Sequence, residues 1–543
     1  MRNLFQFVAF VFLLMAMIAL PVRPSRAAMM DASFLDPTFG VGGKVTTDFF
    51  AKLDVIEDMT IQPDGRIVAA GDVYSPQSGF DLAVARYNAD GTLDQTFGSG
   101  GKVTLDCFGR EDDGIAIAVQ RDGKIVVAGL TFGARSSSLA APDARDRSSL
   151  VVARFNANGT LDASFGGGRG WLVAQFDGVA SANDVAIQSD GRIVVVGQGV
   201  SGRNAPTIGG GADFVVIRYN SDGSPDTSFG GGGVVFTDFA EGSDFADSVA
   251  LQADGRIVVA GSSSLKFALA RYNSDGSLDV SFGSGGKVTN DSMAAGGNAK
   301  SVAIQSDGRI VAAGVSGSNF ALARYNPNGT LDSTFGSAGN VIGSFGGTSV
   351  GYDLAIQRDG RLILGGYVSR TTGYDFAVAR LNTNGSFDTT FGAGGVITAD
   401  FYGKADFAYA VGIQCDGRIV VAGSDANTDE GDFALIRINP FDYCVQDDTN
   451  GNVLLVSVNS GDYLFFDFRK TVVLFGRGKI AVNSCKITLA DAGPNPKQPD
   501  RNVQATVNPC ARTGSASVQV TATGATYSIF DSDLTNSVCA CAR

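Results

Sequence analysis

The stretch SVAIQSDGRIVAAG, residues 301–314, decides the fold. SVAIQ is a short apolar run, SDG is a tight turn whose glycine accepts the positive φ that a Cβ resists, and RIVAAG is a second apolar run ending at glycine. The stretch therefore reads as a β-hairpin. Further along, FALARYN (320–326) gives a third strand, PNGTLDSTFGSAG (327–339) a long turn and NVIGSF (340–345) a fourth strand. No helical period interrupts them. Four strands in succession describe one blade of a β-propeller.

The same words return along the chain. An Asp-Gly-Arg/Lys signal begins at Asp64, Asp122, Asp190, Asp254, Asp307, Asp359 and Asp416, with a shortest spacing of 52 (Asp307 to Asp359) and a longest of 68 (Asp122 to Asp190). A Phe-Gly element keeps step at Phe39, Phe97, Phe165, Phe229, Phe282, Phe335 and Phe391. Repetition at this period points to propeller blades or a solenoid. The ends of the array decide between them. Residues 33–49, SFLDPTFGVGGKVTTDF, hold only the turn and fourth strand of a unit, while 409–439 supply three strands and lack the fourth. The two fragments complete one blade, which closes a ring and hides its edges. The expected fold is all-β: a seven-bladed β-propeller over residues 33–443, closed by an N-terminal strand. An open solenoid would not need complementary half-units.

The repeats resemble the delta-60 repeat family of bacterial secreted proteins, on ALARYNSDGSLDVSFGSGGKV (268–288) and DGRIVVAG (254–261), with a strand order similar to that of NHL-type propellers. The resemblance covers about three quarters of the chain. It implies the propeller fold and export, and no established activity.

Composition agrees with an exported protein. Arg2, the apolar run Leu4 to Leu20, Pro21 and the small residues around Ala27-Ala28 read as a signal peptide over residues 1–27. Its removal takes away three arginines and moves the formal charge from −13 to −16. Such a surface repels nucleic acid and anionic lipid, so neither is an expected partner, and no membrane span follows the signal. The chain has no histidine, which removes the commonest general base and transition-metal ligand. Gly286-Lys287 fails as a phosphate loop, because Ser281 and Val288 stand where glycine and Ser/Thr are needed.

Each third strand carries an arginine (Arg86, Arg154, Arg218, Arg271, Arg324, Arg380, Arg437) and each following turn an aspartate (Asp94, Asp162, Asp226, Asp279, Asp332, Asp388, with Asp36 in the N-terminal fragment). One such pair per blade suggests a charge-assisted staple rather than seven anion sites. The turn oxygen donors Asn273, Asp275 and Asp279 are too few and too close for a calcium loop and suit turn chemistry better. The connections between second and third strands vary in length, from residues 262–265 to 131–149, and share a face with the loops entering each first strand. That variable face is the expected binding side. It gathers Asp54, Glu57, Asp58, Glu111, Asp112, Asp113, Asp184, Glu241, Asp244, Asp247, Asp353 and Asp406. Among these, Asp58, Asp113, Asp184, Asp247 and Asp353 are the candidate ligand or cation residues at the channel mouth.

After Pro440 the repeats stop. Residues 444–543 hold Cys444, Cys485, Cys510, Cys539 and Cys541, the disulfide candidates of a small β-sandwich domain. No catalytic residue is identified and no cofactor is expected, calcium being the one cation the oxygen donors suit. The leading reading is an exported monomeric binding, adhesion or scaffold propeller that contacts a glycan or surface protein. The competing one is a calcium-assisted hydrolase or lyase at the same mouth.

Overall fold

The computed structural model describes residues 34–132, 148–176, 180–199, 212–239, 242–293, 296–371, 373–426 and 431–439, together with the backbone of strands between 443 and 531. Seven four-stranded antiparallel sheets make a seven-bladed β-propeller. Blade 1 runs Asp54–Ile61, Ile67–Ser75, Gly79–Tyr87 and Lys102–Leu105 from its inner to its outer strand. Blades 2 to 6 repeat that order. Blade 7 takes Asp406–Ile413, Ile419–Ala426 and Gly431–Ile438 from the end of the array, and its outer strand is Lys44–Thr47, paired as Lys44↔Ile436 through Thr47↔Phe433.

Blades are held together mainly by apolar packing. One core fills each of the seven junctions. Between blades 7 and 1, Val420, Ala422, Phe433 and Leu435 meet Ile56, Met59, Ile67 and Ala69. Each fully buried aliphatic or aromatic side chain of this kind contributes roughly 1.5–3 kcal/mol.

The turn glycine of the Asp-Gly words sits at positive φ, 86° at Gly65, and its neighbour Asp64 accepts the Arg66 N–H through Oδ1. A second repeated glycine has a different cause. Every inner strand carries a β-bulge, as between Ile56 and Asp58, and the residue paired just before it is glycine: Gly71, Gly129, Gly197, Gly261, Gly314, Gly366 or Gly423. A Cβ on Gly71 would stand 1.8 Å from the Val55 carbonyl oxygen. Glycine is thus required by close backbone approach. It does not end the second strand, which continues beyond it to Ser75 in blade 1.

A polar rivet recurs under the opposite, constant face. Arg218 Nε donates to Asp226 Oδ2 at 2.7 Å, its guanidinium lies 4.4 Å from the Phe229 ring centroid, and Nη1 donates to the Ser274 carbonyl of the next blade. Arg437 does the same with Asp36, Phe39 and Ala89, so the rivet also spans the junction between blade 7 and blade 1. The basic residue of the Asp-Gly word joins in, Arg192 Nε lying 3.0 Å from Asp226. Burial pushes the Asp226 carboxyl up, but the Ser228 hydroxyl and amide and the Arg218 guanidinium outweigh it and hold the acid below its ordinary range.

Tyr443–Asp447, Asn452–Val456, Asp462–Asp467, Val472–Asn483, Lys486–Asp491 and Gln504–Val507 form a six-stranded antiparallel sheet, and Ala516–Ala522 pairs with Ala525–Asp531. The side chain of Cys444 and the whole of Cys485, Cys510, Cys539 and Cys541 lie outside the described residues, as does the signal segment. Cys107 is a free thiol and Cys415 is disulfide-bonded. Among the described residues no helix is long and apolar enough to cross a membrane.

Candidate functional site at the channel mouth

Neighbouring inner strands touch all the way round, including Asp54–Ile61 against Asp406–Ile413, and enclose an axial channel. The bulge turns one residue per blade toward it. These are Glu57, Ile115, Asn183, Asp247, Lys300, Tyr352 and Tyr409, each five residues before the glutamine that follows its inner strand.

Their electrostatics show that they converge. Burial raises Glu57 to about 7, with Asp113 adding to the rise and Lys300, three blades away around the ring, opposing it. Asp113 is raised to about 6 by burial and by Glu111, and Asp72 is pushed well up by burial, Glu57 and Asp113. Lys300 Nζ donates to Asp247 Oδ1 at 2.7 Å, which neutralises one acid. Beside the Glu57 and Asp72 acids stands an aromatic wall. Tyr352 and Tyr409 meet edge-on at 4.9 Å, and Phe407 lies 5.0 Å from both Tyr367 and Tyr374. The mouth thus sets carboxyls that burial and mutual repulsion raise beside a group of aromatic rings.

Of the candidate acids, Asp113 and Asp247 lie among these groups, and Asp58, Asp184 and Asp353 converge as well, Asp184 and Asp353 adding to the burial that raises the Asp58 carboxyl. Asp58, Asp184 and Asp353 take equivalent places one residue beyond the bulge, where each also bonds a neighbouring blade. Asp58 accepts the Ile117 N–H at 2.9 Å, Asp184 the Val249 N–H at 2.7 Å, and Asp353 the Val411 N–H at 2.8 Å. Where the position is serine, Ser248 and Ser301 accept from Val302 and Leu354 instead. Burial lifts Asp184 to about 7 against those donors. Asp72, Lys300 and the aromatic wall are functional candidates that the acid pattern missed. The available signal was the column five before each glutamine, where seven repeats carry seven residues of six types.

Seven segments, residues 62–97, 144–165, 188–229, 252–282, 305–335, 357–391 and 414–442, match the family model described as "Domain of unknown function (DUF5122) beta-propeller". The chain is a β-propeller repeat protein. No curated protein matches it. Among solved structures, the propeller is similar to Chaetomium thermophilum Sqt1 bound to the N-terminus of the ribosomal protein L10, at 13% identity and TM-score 0.40, covering 73% of this chain and 98% of that one. A streptogramin B lyase is similar at 9% identity and TM-score 0.42, covering 73% and 97%. The virginiamycin B lyase of Staphylococcus aureus is similar at 10% identity and TM-score 0.32, covering 69% and 90%. At such scores these likenesses carry no inference about what the propeller binds or does.

Among the described residues, clefts on the constant face include one of about 510 Å³ between blades 2 and 3 and one of about 620 Å³ between blades 5 and 6. Both are lined by the repeated turn residues, including the riveting Arg154 and Arg324, whose polar atoms are already bonded. They are gaps between blade ends. The phosphate-loop look-alike is equally occupied, Lys287 Nζ donating to the Asp238 carbonyl at 2.8 Å.

Proposed function

We propose that this propeller is an exported, monomeric binding module of the delta-60 kind, whose ligand, a glycan or a surface protein, seats on the variable face over the channel mouth. One observation carries the reading. The constant face ties its arginines and aspartates into rivets, whereas the mouth leaves Glu57, Asp72 and Asp113 mutually repelling beside five aromatic rings. Rings of this kind stack on sugar faces or on apolar side chains, and carboxylates fix hydroxyl or cationic groups beside them. The rim adds exposed Phe50, Tyr74, Phe108 and Tyr402 on the same side. Residues 444–543 would form a second, disulfide-stapled β-sandwich module.

Glycan-array and pull-down screening of residues 28–543 tests this. Tyr352→Ala with Tyr409→Ala should weaken capture of whatever is found by about 10-fold or more, the scale of losing buried aromatic anchors, without lowering the melting temperature by the same cause. Capture unchanged by that double variant would remove the mouth as the binding site.

A further inference from the structure

We infer that four of the seven blade junctions are divalent-cation sites, and that calcium is the ion their donors suit. Three aspartates meet at each. One comes from the third strand of a blade (Asp81, Asp213, Asp375, Asp432), one follows the outer strand (Asp106, Asp238, Asp400, Asp48), and one opens the next inner strand (Asp112, Asp244, Asp406, Asp54). In every group the three donor oxygens lie within 4.8 Å of one another. Oxygens on opposite sides of a calcium ion, at about 2.4 Å each, are about 4.8 Å apart.

Proximity of acids alone would prove little; the buried member supplies the second observation. Asp54, Asp112 and Asp406 are 0% exposed and Asp244 1%. Each gives Oδ2 to a loop amide, from Phe49 at 2.7 Å, Cys107 at 2.5 Å, Phe401 at 2.8 Å and Phe239 at 2.8 Å. In all four the other oxygen, Oδ1, has no hydrogen-bond partner. A buried carboxylate oxygen left bare beside two more carboxylates is costly unless a positive charge satisfies it. The side-chain cations nearby leave those oxygens bare: at the group of Asp375, Asp400 and Asp406, Arg370 pairs with Asp375 Oδ2 at 3.1 Å and not with Asp406, and at the others the nearest lysines do not serve. Lys102 and Lys287 are held on the carbonyls of Asp48 and Asp238, at 2.9 and 2.8 Å.

The other three junctions act as internal controls. At the corresponding register positions blades 2 and 3 place Ser149, Gln175 and Ala180, and blades 5 and 6 place Asn319, Ser344 and Ser349. None is charged. Ser349 keeps only the amide-accepting half of the role, taking the Phe345 N–H at 2.8 Å. Between blades 4 and 5 one acid survives, Asp291, and there Lys266 lies 2.5 Å from it, an ammonium in place of a metal. Four junctions carry the full set of three acids, and the other three keep at most one, which an ammonium neutralises.

Three carboxylates with carbonyls and water can reach the six to eight oxygens calcium takes in its flexible geometry, which loop-borne acids suit better than the near-ideal octahedron magnesium demands. Asp48, Asp106 and Asp400 are exposed and Asp238 half-buried, so the ion enters from the variable face. The same loops carry exposed Phe50, Phe108 and Tyr402, which a bound ion would fix in place. This inference stands without the binding reading above.

Calcium titration of the EDTA-stripped full chain by calorimetry, with metal content after gel filtration, tests it. Four ions per chain are expected, one for each aspartate triad, and a melting temperature raised by calcium but not by equal magnesium. Asp54→Asn, Asp112→Asn, Asp244→Asn and Asp406→Asn should each remove one ion, whereas Asp291→Asn should remove none. Should a variant fold poorly, the wild-type count decides by itself. No calcium bound at millimolar concentration, or a count that the asparagine variants leave unchanged, overturns the inference.

Discussion

Replacing Arg218 by alanine should be among the most damaging single changes in the propeller, and its cost can be worked from the contacts. Arg218 is 5% and Asp226 6% exposed in their side chains, and they pair at 2.7 Å. Removing one partner of a buried pair costs about 3–5 kcal/mol, because the other charge is stranded. Here Asp226 keeps Arg192 at 3.0 Å and the Ser228 hydroxyl at 2.6 Å, which lowers the loss. The bond to the Ser274 carbonyl of blade 4 and the contact with Phe229 disappear as well. The expected total is about 2–4 kcal/mol. Arg192→Ala, at a side chain 39% exposed, should cost under about 1 kcal/mol. Arg218→Lys should fall between, since it keeps the charge and loses the fork that reaches two blades at once. Urea denaturation followed by circular dichroism measures all three. An Arg218→Ala loss no larger than that of Arg192→Ala would refute the rivet.

Other expectations follow from the same geometry. Gly261→Ala drives a Cβ to 1.8 Å from the Phe245 carbonyl and should cost about 3 kcal/mol or more, while Gly255→Ala, at φ 86° in open space, should cost only about 1–2; equal losses in thermal melts would contradict the bulge account. Asp184→Ala leaves the Val249 N–H and Ser248 hydroxyl without their acceptor and should destabilise by about 1–3 kcal/mol, with an unchanged melting temperature counting against the inter-blade role. Asp36, Asp94, Asp162, Asp226, Asp279, Asp332 and Asp388 all titrate below their ordinary value when folded. The unfolded chain therefore binds more protons in acid, so the stability they contribute is complete above about pH 4 and lost as pH falls below it. Below pH 4 the raised carboxyls are protonated in both states, so melting temperatures that stay flat from pH 4 to pH 2 would exclude that linkage.

The repeat and its number of blades were legible because a turn needs particular residues wherever it occurs. Asp64-Gly65 and its six copies declare hairpins by glycine's positive φ, and Phe97 and its copies recur because each fills the same buried place against an arginine. The spacing from Arg86 to Asp94 exposed the pair, but not that the guanidinium also covers Phe97 and reaches Ala157 of the next blade, since nothing in one repeat shows its neighbour. The glycine of VVAG looked like a strand end because the bulge that demands it lies on another strand. The site was harder to read. Reading acids by type selected Asp58, Asp184 and Asp353, which also bond between blades, and passed over Tyr352 and Tyr409, whose importance comes from convergence on the axis. Asp54, Asp112, Asp244 and Asp406 were visible as acids of the variable face, but the meeting of three strands at each appears only in three dimensions.

The ring itself is tested most directly by amide hydrogen exchange through Lys44–Thr47. Paired with Phe433–Ile436, these amides should exchange as slowly as the equivalent outer strand Lys102–Leu105 of blade 1. Exchange at the rate of free chain in residues 44–47, with 102–105 protected, would show a propeller whose seventh blade lacks its outer strand.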